Sequence, residues 1–208
     1  MIKISATQIE SYRRLLEGKI TSDQFERQLL RLDPPNAMMQ KGTDFHSMMQ
    51  TEDPTAYEGV FSADCIAKAR SKMDYRSKVF EYKVRRMYRT QYGDISLTGM
   101  ADQLIGLDVV ELKTKYSPIS YDDYASSMQW RVYCEIFGAK FVHYKVFEFA
   151  NTEADDFKNF QQFTFIRPPY NDAKVFDYVH YLHEYIVIRG LDKEPVLQLY
   201  KKKQKELS

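Results

Sequence analysis

The sequence TGMADQLIGLDVVELKT, residues 98–114, decides the fold of this chain because it predicts a β-hairpin. Two runs rich in apolar and β-branched residues, Ser96–Ile105 and Asp108–Thr114, are separated by a Gly-Leu pair. A glycine at the first central position favours a type II′ two-residue turn. Counting back from this turn along both strands brings Asp102 opposite Glu111.

Three charged side chains are expected to project from one face of this hairpin. Directly opposite residues have Cβ atoms roughly 4.5–5.5 Å apart and point to the same face, as Asp102 and Glu111 would. Lys113 lies two residues after Glu111 and shares that face. A four-residue turn would shift the pairing but keep all three on one face. The hairpin therefore groups two carboxylates with one ammonium.

This grouping predicts a site for a divalent cation. Two carboxylates about 4 Å apart repel by roughly 4 kcal/mol at an effective dielectric constant near 20. Mg²⁺ is typically held by one or two carboxylates together with water and substrate phosphate, and Mn²⁺ is expected to substitute for it. A lysine beside the ion can orient or deprotonate the attacking water. The alternative is a surface hairpin with an ordinary Glu-Lys ladder.

Four short motifs occur in a fixed order along residues 42–133. They are GTDFH at 42–46, GMAD at 99–102, VELKT at 110–114 and MQWRVY at 128–133. In this order the chain resembles the PD-(D/E)XK nuclease superfamily, above all RecB-type nucleases and related phage and CRISPR-associated exonucleases. Those proteins show a helix with a G-T-x-x-H-like pattern, then G-x-x-D, E-x-K and a helix with Q-x-x-x-Y. The chain departs from the pattern in having no proline before Asp102.

The resemblance implies a role for each residue that matches a motif. Asp102 and Glu111 match the catalytic metal carboxylates, and Lys113 matches the catalytic lysine. His46 matches a helix-borne histidine that helps to bind metal, and the main-chain carbonyl of Leu112 would be a further ligand. On its own, a histidine on a partly apolar helix is more often a packed neighbour of the core.

Three more residues are candidates through the same resemblance. Gln129 and Tyr133 match the motif that borders the active site and touches the DNA strand, and Glu81 could match an additional acid. Gln129 and Tyr133 are spaced i, i+4 and share a helix face, so they could instead anchor that helix to the sheet. Glu81 could be a solvated strand residue.

Basic residues are concentrated in two places. Lys83, Arg85 and Arg89 share one face of the strand that precedes the hairpin, and Arg85 and Arg89 are predicted to contact DNA. A second group forms a basic tail of Lys201, Lys202, Lys203 and Lys205, for which a solvated helix end is the simpler interpretation. The formal net charge is only +1, so any DNA contact must depend on local patches.

Composition excludes several classes of protein. The two cysteines, Cys65 and Cys134, form no CxxC pair, so neither a zinc site nor a disulfide framework is indicated. The iron–sulfur branch of the resembling nucleases needs four cysteines, so no iron–sulfur cluster is expected. The first residues are polar and carry no secretory signal, and no run approaches the length of a membrane span. A reducing cytoplasm is the expected location.

The periodicity predicts one α/β domain over residues 1–208. Its parts are a helical N-terminal region (1–75), a catalytic sheet (76–166) and a C-terminal helix (171–190), with a short closing helix to follow. The predicted helices are 5–17, 21–32, 36–50, 62–73, 121–138 and 171–189, and the predicted strands are 79–92, 96–105, 108–114, 140–149 and 157–166. The resemblance implies a restriction-endonuclease-like three-layer core, in which helices flank a central mixed β-sheet.

Residues and resemblance together predict a Mg²⁺-dependent DNA nuclease. An exonuclease of DNA recombination, repair or phage DNA processing is the preferred interpretation. The alternatives are a structure-selective or restriction-like endonuclease, a catalytically inactive nucleic-acid-binding module, and an interaction protein with a tyrosine-rich surface. A homo-oligomer, as in ring-forming exonucleases of the superfamily, and a partner protein of recombination or replication are both left open.

Overall fold

The computed structural model describes residues 2–77 and 79–193. In this part of the chain the strands are β1 (Ile2–Ser5), β2 (Val79–Thr90), β3 (Gly93–Ile105), β4 (Asp108–Lys115), β5 (Phe141–Phe149) and β6 (Phe157–Ile166). The α-helices are α1 (Ala6–Leu16), α2 (Ser22–Leu29), α3 (Ala37–Gln50), α4 (Ala63–Arg70), α5 (Tyr121–Ala125), α6 (Gln129–Ile136) and α7 (Asn171–Ile188), and a 3-10 turn spans Pro54–Tyr57. None of these helices is long and apolar enough to cross a membrane.

All the strands belong to one mixed sheet in the order β1-β3-β4-β5-β6, with β2 also paired to β3. The β1–β3 and β4–β5 pairs are parallel, whereas β2–β3, β3–β4 and β5–β6 are antiparallel. Because parallel neighbours need a crossover, the chain passes from β4 to β5 through α5 and α6.

Helices cover both faces of this sheet. A larger core joins α1, α2, α6 and α7 to the sheet and includes Ile9, Val132 and Tyr144. A smaller core joins α3 and α4 to it and includes Phe45 and Phe147. Tyr144 and Phe147 are three residues apart on β5 and so point to opposite faces. The predicted fold class, a central mixed sheet between two helical layers, is confirmed.

The predicted hairpin forms with the expected turn. Gly106 has a φ of 64°, which suits the first central position of a type II′ turn. The paired residues are Ile105 with Asp108, Leu104 with Val109 and Gln103 with Val110. The prediction that Asp102 and Glu111 form the next ladder pair was wrong, because the ladder ends at Gln103.

Two boundaries differ from the prediction for a tertiary reason. The N-terminal region is not wholly helical, since β1 pairs with residues 95–98 of β3. The predicted helix 121–138 is two helices, because Glu10 of α1 intervenes between them. Its Oε2 accepts hydrogen bonds from the Met128 N–H at 2.7 Å and the Ser127 hydroxyl at 3.0 Å, so α6 begins there as a new helix.

Helix α2 also ends earlier than predicted, at Leu29 rather than residue 32. Arg31 follows with a φ of 54°, in the left-handed region that interrupts a helix. The start of α1 agrees with the prediction, because Ser5 and Gln8 form a reciprocal capping box. The lysine tail at 201–205 lies outside the described residues, and so does the predicted closing helix beyond residue 193.

Candidate metal and nucleic-acid site

The candidate site lies at a gap in one edge of β3. Strand β2 pairs with one edge of β3 between residues 93 and 104, so β1 and β4 must share the other edge. On that edge β1 pairs with residues 95–98 and β4 pairs with residues 103–105. Within the described residues, positions 99–102 have no strand partner there. Asp102 is the last residue of this gap.

Hydrogen bonds join four residues at the gap into one group, called the acid cluster below: Asp102, Glu111, Lys113 and His46. Asp102 Oδ1 lies 3.2 Å from His46 Nδ1, and Asp102 Oδ2 accepts the Leu112 N–H at 2.7 Å. Glu111 Oε1 accepts the Asp102 N–H at 3.4 Å, and Glu111 Oε2 accepts from Lys113 Nζ at 3.0 Å. The structure thus brings the two acids, the lysine and the histidine together, and each carboxylate oxygen has a donor within the protein.

The two buried acids of the cluster have opposite pKa shifts. Asp102 is 7% exposed and Glu111 is 2% exposed. Burial raises the pKa of Asp102, but the hydrogen bond and charge of His46, the charge of Lys113 and the Leu112 N–H outweigh it, so the pKa is lowered. Burial, followed by the charge of Asp102, raises the pKa of Glu111 to about 7. The pair therefore carries more negative charge than its surroundings accommodate.

Lys113 remains an ammonium in this setting. Burial lowers its pKa, but the charges of Glu111 and Asp102 and the hydrogen bond to Glu111 outweigh this, so the pKa is raised. Its side chain is 28% exposed and its Nζ lies 5.7 Å from the ring centre of Tyr144. One ammonium thus faces two carboxylates and keeps access to the solvent side of the cluster.

A glycine on α3 brings His46 to Asp102. A Cβ on Gly42 would lie 3.0 Å from Thr114 Oγ1 of β4, so α3 and β4 approach more closely than a larger residue would allow. His46 lies four residues after Gly42, on the same helix face. The motif GTDFH therefore serves two needs, a close helix–strand approach and a histidine beside the acids.

The predicted pair on α6 forms one wall of the site. Gln129 Nε2 donates to the Tyr133 hydroxyl at 3.1 Å, and that hydroxyl donates to the Met100 carbonyl at 3.3 Å. Met100 lies in the gap of β3, so this bond joins α6 to that part of the strand. Tyr144 also donates to Gln129 Oε1 at 3.4 Å. Tyr133 is buried, so its hydroxyl links α6 to β3 and its ring is not exposed for contact with DNA.

Gly99 allows α6 to approach the gap. A Cβ at this position would lie 2.3 Å from Ile136 Cδ1 and 3.0 Å from Tyr133 Cε1, both on α6. A side chain here would force the Ile136 side chain to move and would crowd the Tyr133 ring, so it would disturb the packing of α6 against β3. The glycine of GMAD is therefore a packing requirement that keeps Tyr133 within reach of Met100.

The basic strand β2 contributes less than predicted. Lys83 pairs with Met100 and lines the cleft at the acid cluster, and Arg85 pairs with Thr98 nearby. Arg89 pairs with Asp94, eight residues from Asp102 and so roughly 27 Å away along the strand. Arg85 and Arg89 are exposed and do not line the cleft.

Glu81 is also separate from the acids. It is exposed, it has a φ of 50°, and it makes no hydrogen bond or ion pair with the acid cluster in the described part of the chain. The register of β2 and β3 places it across from Asp102, but no pair forms there. A left-handed residue does not project as an extended one does, so the predicted extra acid is not brought to the cluster.

A cleft of about 1050 Å³ opens above the acid cluster. Besides the predicted residues, it is lined by the start of α1, by the connection between α2 and α3, and by Met39 of α3. Arg27 and Arg31 belong to this lining, and Arg27 pairs with Asp33. The sequence offered no signal for Arg31 or Met39, since only the tertiary fold brings them to the motifs.

The donor set suits a hard divalent cation. Two carboxylates, a main-chain carbonyl and an imidazole are ligands that Mg²⁺ or Mn²⁺ accepts, with water and phosphate completing the shell. Within residues 2–77 and 79–193, no three His, Cys, Asp or Glu side chains form a ready-made cage. His46 and Lys113 would therefore exchange their bonds to Asp102 and Glu111 for contacts with the ion and its water.

Solved structures of other proteins share this fold. The protein SSO0001 matches with a TM-score of 0.53 and 16% identity, over 86% of this chain and 74% of that one. LHK-Exo, in a complex with dAMP, matches with a TM-score of 0.51 and 15% identity, over 99% of this chain and 95% of that one. A second structure of LHK-Exo, described as an alkaline exonuclease from Laribacter hongkongensis, gives a TM-score of 0.46.

No protein-family model and no curated protein matches the sequence. At 15–16% identity, the matches to SSO0001 and to the dAMP complex show a common fold. The chain therefore adopts a mixed α/β fold that is also found in an exonuclease.

Proposed function

We propose that this chain is a Mg²⁺-dependent deoxyribonuclease, and specifically an exonuclease that hydrolyses phosphodiester bonds during DNA recombination, repair or phage DNA processing. The acid cluster carries the proposal, since two buried carboxylates face one ammonium in an open cleft. The shared fold supports it, because LHK-Exo is an exonuclease and was crystallised with dAMP, a deoxynucleoside monophosphate.

Asp102 and Glu111 would hold the metal, with the Leu112 carbonyl and His46 as further ligands. An ion held there would lower the pKa of a bound water and draw electrons from the phosphate that is attacked. The negative charge of the two acids is the property that makes this position selective for a cation. The bond between His46 and Asp102 shows that the histidine already reaches the acid it would share the ion with.

Lys113 acts as a charged donor rather than a base. In the metal-free protein, the charges of Glu111 and Asp102 raise its pKa, so the proton stays on Nζ at neutral pH. An ammonium in this place can orient the attacking water and stabilise the negative charge that develops on the phosphate oxygens. Attack of the water oxygen on phosphorus breaks the bond to the 3′ oxygen, leaving a 3′ hydroxyl and a 5′ phosphate, as the resemblance implies.

The decisive experiment compares two lysines on one strand. Lys113→Ala removes the ammonium from the acid cluster, whereas Lys115→Ala removes one that pairs with Asp123. With linear DNA and Mg²⁺, Lys113→Ala is expected to reduce the cleavage rate by roughly 10²–10⁴-fold. Lys115→Ala is expected to retain it. Cleavage that survives in Lys113→Ala would overturn the proposal.

Two substrates distinguish an exonuclease from an endonuclease. An exonuclease requires a free end, so linear DNA should be degraded while covalently closed circular DNA of the same sequence stays intact. Cutting of the closed circle would instead favour the structure-selective or restriction-like alternative.

Metal binding tests the alternative that the chain keeps the fold of a nuclease but has lost catalysis. If the acid cluster binds Mg²⁺, the ion stabilises the folded state by about 2.7 kcal/mol at a hundred times its Kd. Thermal unfolding with and without Mg²⁺ measures this, and Glu111→Gln should remove the response. DNA binding in EDTA with no cleavage in Mg²⁺ or Mn²⁺ would favour the inactive binding module.

A further inference from the structure

Two methionines are exposed in the cleft beside the acid cluster. Met39 of α3 is 57% exposed and Met100 of β3 is 46% exposed, and both line the cleft that contains Asp102 and Glu111. Exposed apolar side chains inside a cleft commonly mark a ligand-binding surface. These two are not needed for the buried core or for the chemistry of the acids.

Both methionines are carried by a fixed backbone. The Met39 N–H donates to Asn36 Oδ1 at 2.9 Å, in the cap that begins α3. The Met100 carbonyl accepts the Tyr133 hydroxyl, and Gly99 before it is packed against α6. The thioether side chains are flexible, but the places from which they project are not.

Both methionines lie close to members of the acid cluster. Met100 precedes Asp102 by two residues on β3, a separation of roughly 7 Å. Met39 precedes His46 by seven residues, which is two turns on one face of α3 or roughly 10 Å. Each wall of the cleft therefore presents a methionine at a short distance from a member of the acid cluster.

Charge indicates what the methionines would contact. Lys83 is paired with Met100 across β2 and β3, and Arg31 lines the same cleft. Neither cation makes an ion pair in the described part of the chain, unlike Arg27 and Lys113. A cleft lined by both apolar side chains and unpaired cations complements a ligand that alternates anionic groups with flat aromatic rings, and a DNA strand has this pattern.

We propose that Met39 and Met100 contact the face of an unpaired nucleobase next to the phosphate that is cut. This subsite rests on the proposed nuclease function and defines its substrate. A base within a duplex is stacked on both faces, so the contact selects a single-stranded or frayed end. Thioether–ring contacts do not read base edges, so the subsite accepts all four bases.

The test compares oligonucleotides with and without bases. One probe is a fluorescein-labelled single strand of mixed sequence, and the other is the same backbone with abasic sites throughout. Equilibrium binding is measured by anisotropy in EDTA, and cleavage is measured in Mg²⁺. The wild-type protein is expected to bind the base-bearing probe about five to ten times more tightly, and to cleave it faster, because two thioether–ring contacts are lost with the abasic probe.

Matched variants assign this preference to the cleft. In the Met39→Ala/Met100→Ala double variant, the two probes are expected to bind equally. Met39→Leu/Met100→Leu should keep the preference, since leucine retains the apolar surface. Met38→Ala and Met87→Ala remove methionines that are 48% and 47% exposed but do not line the cleft, and they should behave as the wild type.

The outcomes separate this inference from the nuclease proposal. A wild-type protein that cleaves DNA but treats the two probes alike overturns the methionine subsite and leaves the nuclease intact. A preference that persists in the double alanine variant, or that disappears in Met38→Ala, also overturns it. A protein that neither binds nor cleaves either single-stranded probe overturns the methionine subsite, and the cleavage of linear duplex DNA in Mg²⁺ then decides the nuclease proposal separately.

Discussion

Two buried glutamates in this molecule have opposite charge environments. Glu111 is 2% exposed and meets a second carboxylate and one ammonium in the acid cluster. Glu135 is 3% exposed and meets two guanidinium groups, from Arg86 and Arg167. The group around Glu111 has one ammonium for two carboxylates, whereas the group around Glu135 has two guanidinium groups for one carboxylate. A set with excess negative charge invites a metal ion, whereas a set with excess positive charge is complete without one.

The difference also shows in where the partners come from. Arg86 on β2 and Arg167 after β6 reach Glu135 on α6, so this ion-pair group fastens the helix to the sheet. Three members of the acid cluster instead lie on two adjacent strands whose pairing has just ended, and the fourth, His46, lies on α3. We infer that the ion-pair group around Glu135 stabilises the fold. The acid cluster holds unfavourable negative charge that a bound cation would relieve.

The largest expected effect is on activity. Glu111→Gln keeps the shape of the side chain but removes the charge that would hold the ion. Cleavage of linear DNA in Mg²⁺ should fall by roughly 10³-fold, as expected for the loss of a group essential to metal-assisted hydrolysis. Glu135→Gln is the matched control, and its folded fraction should retain specific activity. Equal losses in both variants would contradict the division of roles.

The next effect is on stability. Glu135→Gln leaves two guanidinium groups beside an amide and should lower the free energy of unfolding by roughly 2–3 kcal/mol. This is below the 3–5 kcal/mol typical of a broken buried ion pair, because both arginines are partly exposed and regain water. Denaturant unfolding without metal measures it. A stability equal to that of the wild type would show that this group does not fasten α6.

Local sequence signals were sufficient to predict that the residues of the acid cluster come together. Gly106 and the alternation around it specify the hairpin, and the hairpin alone places Asp102, Glu111 and Lys113 near one another. His46 followed from its motif, and Gly42 supplies the physical reason for its approach. These are short-range relations, in which a turn or a helix face fixes the geometry.

The remaining features depend on contacts between distant parts of the chain. The gap in β3 exists because residues 2–5 pair with residues 95–98, and a four-residue strand gives little sequence signal. The division between α5 and α6 depends on Glu10, more than 110 residues away. Arg31 and Met39 reach the cleft only through the packing of α2 and α3. Periodicity does not contain such information.

A smaller effect is expected when pH is varied. The pKa of Glu111 is raised in the folded state to about 7, above an unfolded value near 4.5. Its contribution to the stability of the metal-free protein is therefore present below pH 4.5 and is lost as pH rises through 7. Glu111→Gln does not titrate, so its stability relative to the wild type should grow by about 1–2 kcal/mol over this window.

Unfolding in EDTA at a series of pH values between 4.5 and 8 provides this measurement. If the free energies of unfolding of Glu111→Gln and the wild type differ by the same amount at every pH from 4.5 to 8, then Glu111 and Asp102 do not carry excess negative charge.

The smallest effect should come from removing one of the two arginines at Glu135. Arg86→Gln or Arg167→Gln leaves the carboxylate with one guanidinium, so each should cost less than about 1 kcal/mol, as for a partly exposed ion pair. The double variant leaves Glu135 buried without a cation and should cost more than the two single changes together. Denaturant unfolding of the three variants tests this. Additive costs would mean that the arginines act independently, and that the surplus of positive charge around Glu135 has no role in tolerating the loss of one partner.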